Sequence, residues 1–165
     1  MWIIFAVAYP VDDYLLSLLP VKAKSFSGLM IKMMHAEDEL TKAAATGNTS
    51  RVQFLLSNGV DANGVNKFGR TPIQIARVLS PQVVMMGNTP LAHLLLEHGA
   101  DPNVPDPRTG STPLHDAART GFTDTVRLFV RFNADPNATD HFNLRPVDVA
   151  RQTGHMDVVE FLTSI

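Results

Sequence analysis

A five-residue string recurs three times in this chain, and a chain that repeats itself has few folds open to it. Gly59-Val60-Asp61-Ala62-Asn63, Gly99-Ala100-Asp101-Pro102-Asn103 and Asn133-Ala134-Asp135-Pro136-Asn137 stand at intervals of 40 and 34 residues. A second series follows in the same phase: Thr71-Pro72-Ile73-Gln74, Thr112-Pro113-Leu114-His115 and Arg145-Pro146-Val147-Asp148, at intervals of 41 and 33. Periods of this length mean one supersecondary unit per repeat, which cannot bury its apolar face alone and stacks on its neighbours.

Each position in the period has a physical reading. Thr112 caps a helix whose first residue is Pro113, where the missing N–H is no loss. Leu114, Ala117 and Ala118 then share one face, the alanines small enough to let neighbouring helices approach. Gly121 ends that helix in a left-handed conformation. Val126, Phe129 and Val130 recur at helical spacing and bury a second helix. Asn133 replaces Gly59 and Gly99, Asn being the residue next best suited to positive φ. The first repeat keeps the same offsets with Leu40, Ala43, Ala44, Gly47, Val52, Leu55, Leu56 and Gly59, and the last with Val147, Ala150, Gly154, Val159 and Leu162. A 33-residue period opening on a T-P-L-H-like string is the ankyrin signature. The expected fold is all-α: an ankyrin-repeat solenoid of four helix-turn-helix repeats over 35–165, with an atypical N-terminal extension over 1–34. The repeats fall at about 37–66, 67–103, 104–137 and 138–165.

The second repeat is longer than its copies. Counting back from Gly99, Leu94, Leu95, Leu96, Ala92 and Gly87 fall in register, so the surplus lies in its first helix, over about 75–82. Ser80-Pro81 repeats the cap-plus-proline chemistry of Thr71-Pro72, giving two competing helix starts. One continuous helix through both is excluded by Pro81. A turn over 71–79, a break and a second start near Ser80 are expected.

Residues 1–34 hold a disproportionate share of the apolar residues. A membrane-spanning helix needs about 20 in a row, but Pro10, Asp12, Asp13, Pro20 and Lys22 interrupt both runs. A secretory signal needs a basic region before its apolar stretch, and Met1-Trp2 supplies none. The segment reads as an appendage outside the functional unit. The absence of Cys excludes disulfides, thiolate-bound zinc and thiol catalysis, and fits a reducing compartment. A net charge of -2 gives no reason to expect nucleic acid or an anionic membrane as partner.

Catalytic motifs are missing. No phosphate-binding loop, dinucleotide fingerprint, nucleophile elbow or metalloprotease string occurs. His93 and His98 are badly spaced for a shared metal, so neither metal nor cofactor is expected. His115 stands beside Asp116 without a nucleophile tied to them, and is read as closing the first turn of its helix by local hydrogen bonding. His155 at the next turn is read likewise, and Met85-Met86 as core with one side chain exposed. Function must then lie on the surface. Ankyrin stacks bind proteins with a concave face of hairpin tips and first helices. In the third repeat that face would carry Asp106, Arg108, Asp116, Arg119 and Asp124. These are either solvated charges or a patch for an arginine-bearing partner, where losing one member of a desolvated pair costs roughly 2–5 kcal/mol.

Four strings carry a more specific likeness. Gly64-Val65-Asn66-Lys67-Phe68-Gly69-Arg70-Thr71-Pro72-Ile73-Gln74, Val84-Met85-Met86-Gly87, Leu94 to Asn103, and Pro113-Leu114-His115-Asp116-Ala117-Ala118-Arg119-Thr120-Gly121-Phe122 resemble the INK family. These are ankyrin-repeat inhibitors of the cyclin-D-dependent kinases, and the four-repeat, tumour-suppressor members are most similar. The Met-Met-Gly and His-Asp-Ala-Ala-Arg strings are not general ankyrin features. The resemblance implies a non-enzymatic monomer in cytoplasm and nucleus that binds cyclin-dependent kinases 4 and 6 beside the catalytic cleft. It would tilt the kinase lobes, disfavour cyclin and restrain G1/S progression. Asp116 would take a kinase arginine and Arg119 an acidic group, with Asp106, Asp124, Met85, Met86 and His115 in or near the contact. The extra residues over 75–82 and the apolar extension have no counterpart in the family. An ankyrin scaffold without kinase inhibition, its contact face reshaped by the insertion, is therefore the competing expectation.

Overall fold

A computed structural model describes residues 35–76 and 89–165. Among these residues the regular structure is entirely helical. Helices run over 35–45 (α1), Thr49–Ser57 (α2), Pro72–Ile75 (α3), Thr89–Glu97 (α4), Pro113–Thr120 (α5), Thr123–Arg131 (α6), Pro146–Thr153 (α7) and Met156–Thr163 (α8). None of them is long and apolar enough to cross a membrane.

The helices form two layers. In the inner layer α5 packs on α7; in the outer layer α2, α4, α6 and α8 pack in sequence, and α5–α6 and α7–α8 close each repeat. Residues Glu37–Ile165 thereby make one compact unit. Leu40, Leu91, Leu95, Leu114, Val126 and Val158 lie at the centre with no exposed surface. Ala117, Ala118 and Ala150, also buried, allow the inner helices to approach closely. The second helix of the third repeat buries Leu128 as well as Val126 and Phe129, while Val130 is only half-buried. The face expected from spacing is thus rotated slightly toward Leu128.

Turns are where the period is written. Gly121 ends α5 at φ 76°, and a Cβ there would overlap the His155 ring, so both the conformation and the space demand glycine. Asn133 stands at φ 63°, in the role expected of it.

The recurrent Asp-x-Asn string is a stacking device. Each Asp closes its own turn: Asp61, Asp101 and Asp135 accept from the N–H of Asn63, Asn103 and Asn137 at 2.8–2.9 Å. The Asn side chain then bridges to the following repeat. Asn63 donates to the Gly99 carbonyl (2.8 Å) and accepts from the Asp101 N–H (2.7 Å). Asn103 does the same with Asn133 (3.0 Å) and Asp135 (2.8 Å). These bonds satisfy exposed loop backbone and fix the register of successive repeats.

In the second repeat α3 is a single turn. Thr71 begins it in extended conformation, Pro72 is its first residue, and Ala76 ends it. The intact second helix expected from the leucine register is present as α4, with Leu91, Ala92, Leu94, Leu95 and Leu96 all buried. The expected break, the second start near Ser80, and Gly87 lie outside the described residues, as does the 1–34 extension.

Candidate functional site

The inner face of the third repeat is built on α5. Thr112 opens the helix, and the Thr112 N–H donates to His115 Nδ1 at 3.1 Å. His115 Nε2 donates to the Leu144 carbonyl of the next repeat at 2.9 Å. Accepting at Nδ1 and donating from Nε2 defines the neutral tautomer. Burial pushes the His115 pKa down, against smaller opposing effects from the Leu144 hydrogen bond and Asp140. The ring is wholly enclosed. His115 therefore closes its turn as expected, yet it also ties two repeats together, and it presents nothing to a partner's surface. The placing of His115 in a contact surface is corrected on that ground.

Two aspartates expected as surface charges are instead buried. Asp116 is 4% exposed, and its Oδ1 lies 3.8 Å from Arg119 Nη1, one helical turn on. Asp116 sits in the first turn of α5 and Arg119 in the last, the order that suits the helix dipole. The exposed member of the pair is Arg119, whose side chain keeps 46% of its surface. Its own carbonyl is held by His155 Nε2 at 3.0 Å, so the base of the arginine is fixed by the fourth repeat. His155 thus acts between repeats, not within its own turn.

Asp106 is a pin for the third hairpin tip. One oxygen accepts from the Arg108 N–H at 2.9 Å, and the other meets Arg70 Nη2 at 2.7 Å. Its main chain adds bonds from its N–H to the Ser111 carbonyl and from the Gly110 N–H to its own carbonyl. Arg70 was not singled out by sequence reasoning; an arginine one residue before a Thr-Pro cap has no local partner, which was the available signal. Arg108 is exposed on the same tip. Asp124 is exposed but stands in the first turn of α6, on the other helix of the repeat from Asp116 and Arg119. The expected cluster is therefore a buried–exposed pair on α5 with an Asp106–Arg70 link at the tips. Met85 and Met86 lie outside the described residues.

Both nitrogens of His115 are engaged by the fold, and among the described residues no cluster of three His, Asp or Glu side chains forms a metal site. His93 pairs with Glu97 at 3.4 Å, and the His98 ring hydrogen-bonds the Leu94 carbonyl at 2.9 Å.

The comparisons with known proteins agree with this architecture. The ankyrin-repeat family model matches residues 40–140 and 82–165. Cyclin-dependent kinase inhibitor 2A of Monodelphis domestica is 44% identical over 142 residues, spanning 86% of this chain and 73% of that protein. Cyclin-dependent kinase 4 inhibitor B of Bos taurus is 46% identical over 124 residues (75% and 88%). Cyclin-dependent kinase inhibitor 2A of Homo sapiens is 43% identical over 130 residues (79% and 78%). Four stacked repeats, their turn chemistry and these likenesses over most of both chains lead to one assignment. The chain belongs to the INK family of ankyrin-repeat cyclin-dependent kinase inhibitors.

Proposed function

We propose that this chain is a protein inhibitor of cyclin-dependent kinase 4, and of kinase 6, that acts by binding and so restrains G1/S progression. The observation that carries the reading is the 3.8 Å approach of Arg119 to Asp116 on the inner face of the third repeat, in a chain of this family. A partner arginine would reach Asp116, while Arg119 takes an acidic group. The inhibitor favours an inactive arrangement of the kinase, so inhibitor and cyclin weaken each other reciprocally. The chain works as a monomer, in cytoplasm and nucleus, without cofactor, nucleic acid or membrane.

The test is kinase affinity of the folded chain. Asp116→Ala is expected to weaken binding by at least about 1 kcal/mol, roughly fivefold, with the helical circular dichroism retained. Unchanged affinity in a folded variant removes Asp116 from the contact. The scaffold reading, favoured by the extra residues over 75–82, is separated by a paired inhibition assay. Equal inhibition with and without residues 75–82 supports the inhibitor; inhibition only after deletion supports the scaffold.

A further inference from the structure

Asn-Gly occurs twice in this chain, at Asn58-Gly59 and Asn63-Gly64. The pair is chemically labile, because the glycine nitrogen has no side chain beside it to obstruct attack on the asparagine carboxamide.

The second pair falls on a joint of the stack. Asn63 bridges the first repeat to the second, donating from Nδ2 to the Gly99 carbonyl at 2.8 Å and accepting at Oδ1 from the Asp101 N–H at 2.7 Å. Asn103 makes the same bridge to Asn133 and Asp135, but Val104 follows it. What places glycine after Asn63 is packing. Gly64 is buried, and a Cβ on it would lie 2.6 Å from Glu37 Cγ of α1. The bridge needs Asn63 and the approach of α1 needs Gly64, so together they write a labile pair into the joint.

The two pairs are held unequally. Asn58 ends α2, where its N–H donates to the Phe54 and Leu55 carbonyls, its Nδ2 to the Phe54 carbonyl, and the Gly59 N–H to the Leu56 carbonyl. Freeing the Gly59 nitrogen requires the last turn of that helix to unwind. The Gly64 N–H donates to the Asp61 carbonyl at 3.1 Å, a turn bond outside any helix, and Asn63 is exposed. The Asp101 N–H on Asn63 Oδ1 also favours the negative charge that this oxygen gains on attack.

We propose that Asn63 is a deamidation site whose modification unlocks the first repeat from the second. Gly64 N, losing its proton to water, bonds to Asn63 Cγ; the Cγ–Nδ2 bond breaks and Nδ2 leaves as ammonia. Water then opens the cyclic imide at either carbonyl, restoring the Gly64 N–H and leaving aspartate or isoaspartate. The product has no donor for the Gly99 carbonyl, and its carboxylate joins those of Asp61 and Asp101, both exposed at this joint. Isoaspartate also lengthens the main chain between the repeats.

The full chain is incubated at neutral and at mildly alkaline pH, digested and mapped by mass spectrometry. Residue 63 should gain about 1 Da, with an isoaspartyl fraction, and faster at the alkaline pH. It should convert at least about tenfold ahead of Asn103, where branched Val104 crowds the attacking nitrogen. Asn58 should lag behind Asn63. In the aged chain, and at once in Asn63→Asp, amides of α1 and α2 should exchange at least about fivefold faster, with those of α5 to α7 unchanged. No conversion at 63, or earlier conversion of Asn58 or Asn103, overturns the site. Conversion at 63 with unaltered exchange in α1 and α2 overturns the unlocking, as does an equal loss of protection in α5 to α7.

Discussion

The third residue of α3, α5 and α7 is Gln74, His115 and Asp148 respectively, three residues with one task. The Thr71 N–H donates to Gln74 Oε1 at 2.8 Å, the Thr112 N–H to His115 Nδ1 at 3.1 Å, and the Arg145 N–H to Asp148 Oδ2 at 3.1 Å. Gln74 and His115 also donate to a carbonyl of the following repeat, Val104 or Leu144. Only His115 titrates near neutrality. Its folded pKa lies below the unfolded value of 6.5, so the unfolded chain takes up the proton first as pH falls. Stability is then full above about pH 6.5 and lost progressively below it, at up to about 1.4 kcal/mol per pH unit. Asp148 does not blur this window, because Arg145 lowers its pKa from an already acidic 3.8. His115→Gln, copying the second repeat, should keep the fold and flatten the urea midpoint between about pH 7.5 and 5.5. An unchanged pH slope would remove His115 as its source. Arg70 gives a second prediction at this scale. Arg70→Met leaves the buried Asp106 carboxylate without its counter-charge and should cost about 1–3 kcal/mol. Adding Asp106→Asn, which keeps the acceptor for the Arg108 N–H, should recover part of it; strict additivity in denaturant melts would mean the pair is not coupled.

At the scale of the element, the turns decide more than the helices. Gly121 and Gly154 both adopt positive φ, 76° and 80°, but only Gly121 faces an obstacle. Gly154→Ala should cost about 1–2 kcal/mol for the left-handed backbone alone. Gly121→Ala should cost clearly more, since its Cβ meets the His155 ring, and Gly121→Val should unfold the third repeat in a circular dichroism melt. Equal losses for the two alanine variants would contradict the packing of His155. These turns were legible because glycine, Asn133 and the Thr-Pro starts answer to local backbone sterics, which neighbouring sequence reveals. The Asp-x-Asn string was legible as a landmark but not as a bridge. Its second half acts on a residue 36 or 30 positions away, which the string itself does not encode. The burial of Asp106 and Asp116, which the sequence placed on an exposed face, was hidden for the same reason. Burial of an aspartate depends on what packs over it, and Arg70 is remote in sequence from Asp106 while Arg119 looked like an independent surface charge.

Across the whole molecule, stability is distributed along the stack in proportion to what each repeat buries against its neighbour. The α5–α7 pair is an extensive contact between inner helices among the described residues, and Leu114, Ala117, Ala118, Val147 and Ala150 of these helices are buried. The corresponding inner helix of the second repeat is the four-residue α3, whose buried apolar contribution is Ile73 with Pro72. Each well-buried aliphatic side chain contributes about 1.5–3 kcal/mol, so among the described residues the inner helix of this repeat has less to hold it than those of its successors. The fourth repeat is finished differently. Where the third has Thr112, His115 and Ala118 turned toward the next repeat, it has Arg145, Asp148 and Arg151. Asp148 pairs with Arg145 at 3.0 Å and with Arg151 at 3.3 Å. This polar surface is satisfied within its own helix and needs no apolar cover. Opening is therefore expected to begin in the first two repeats and to leave the last two folded. Native-state hydrogen exchange reads this directly. Amides of α5, α6 and α7 should be protected by the full free energy of unfolding, and those of α2 and α3 should exchange through a partial opening of lower free energy. Uniform protection from α2 to α8 would show the stack to open as one unit. In that case the Asn63 bridge to Gly99 and Asp101, rather than the small α3 core, carries the coupling between its halves.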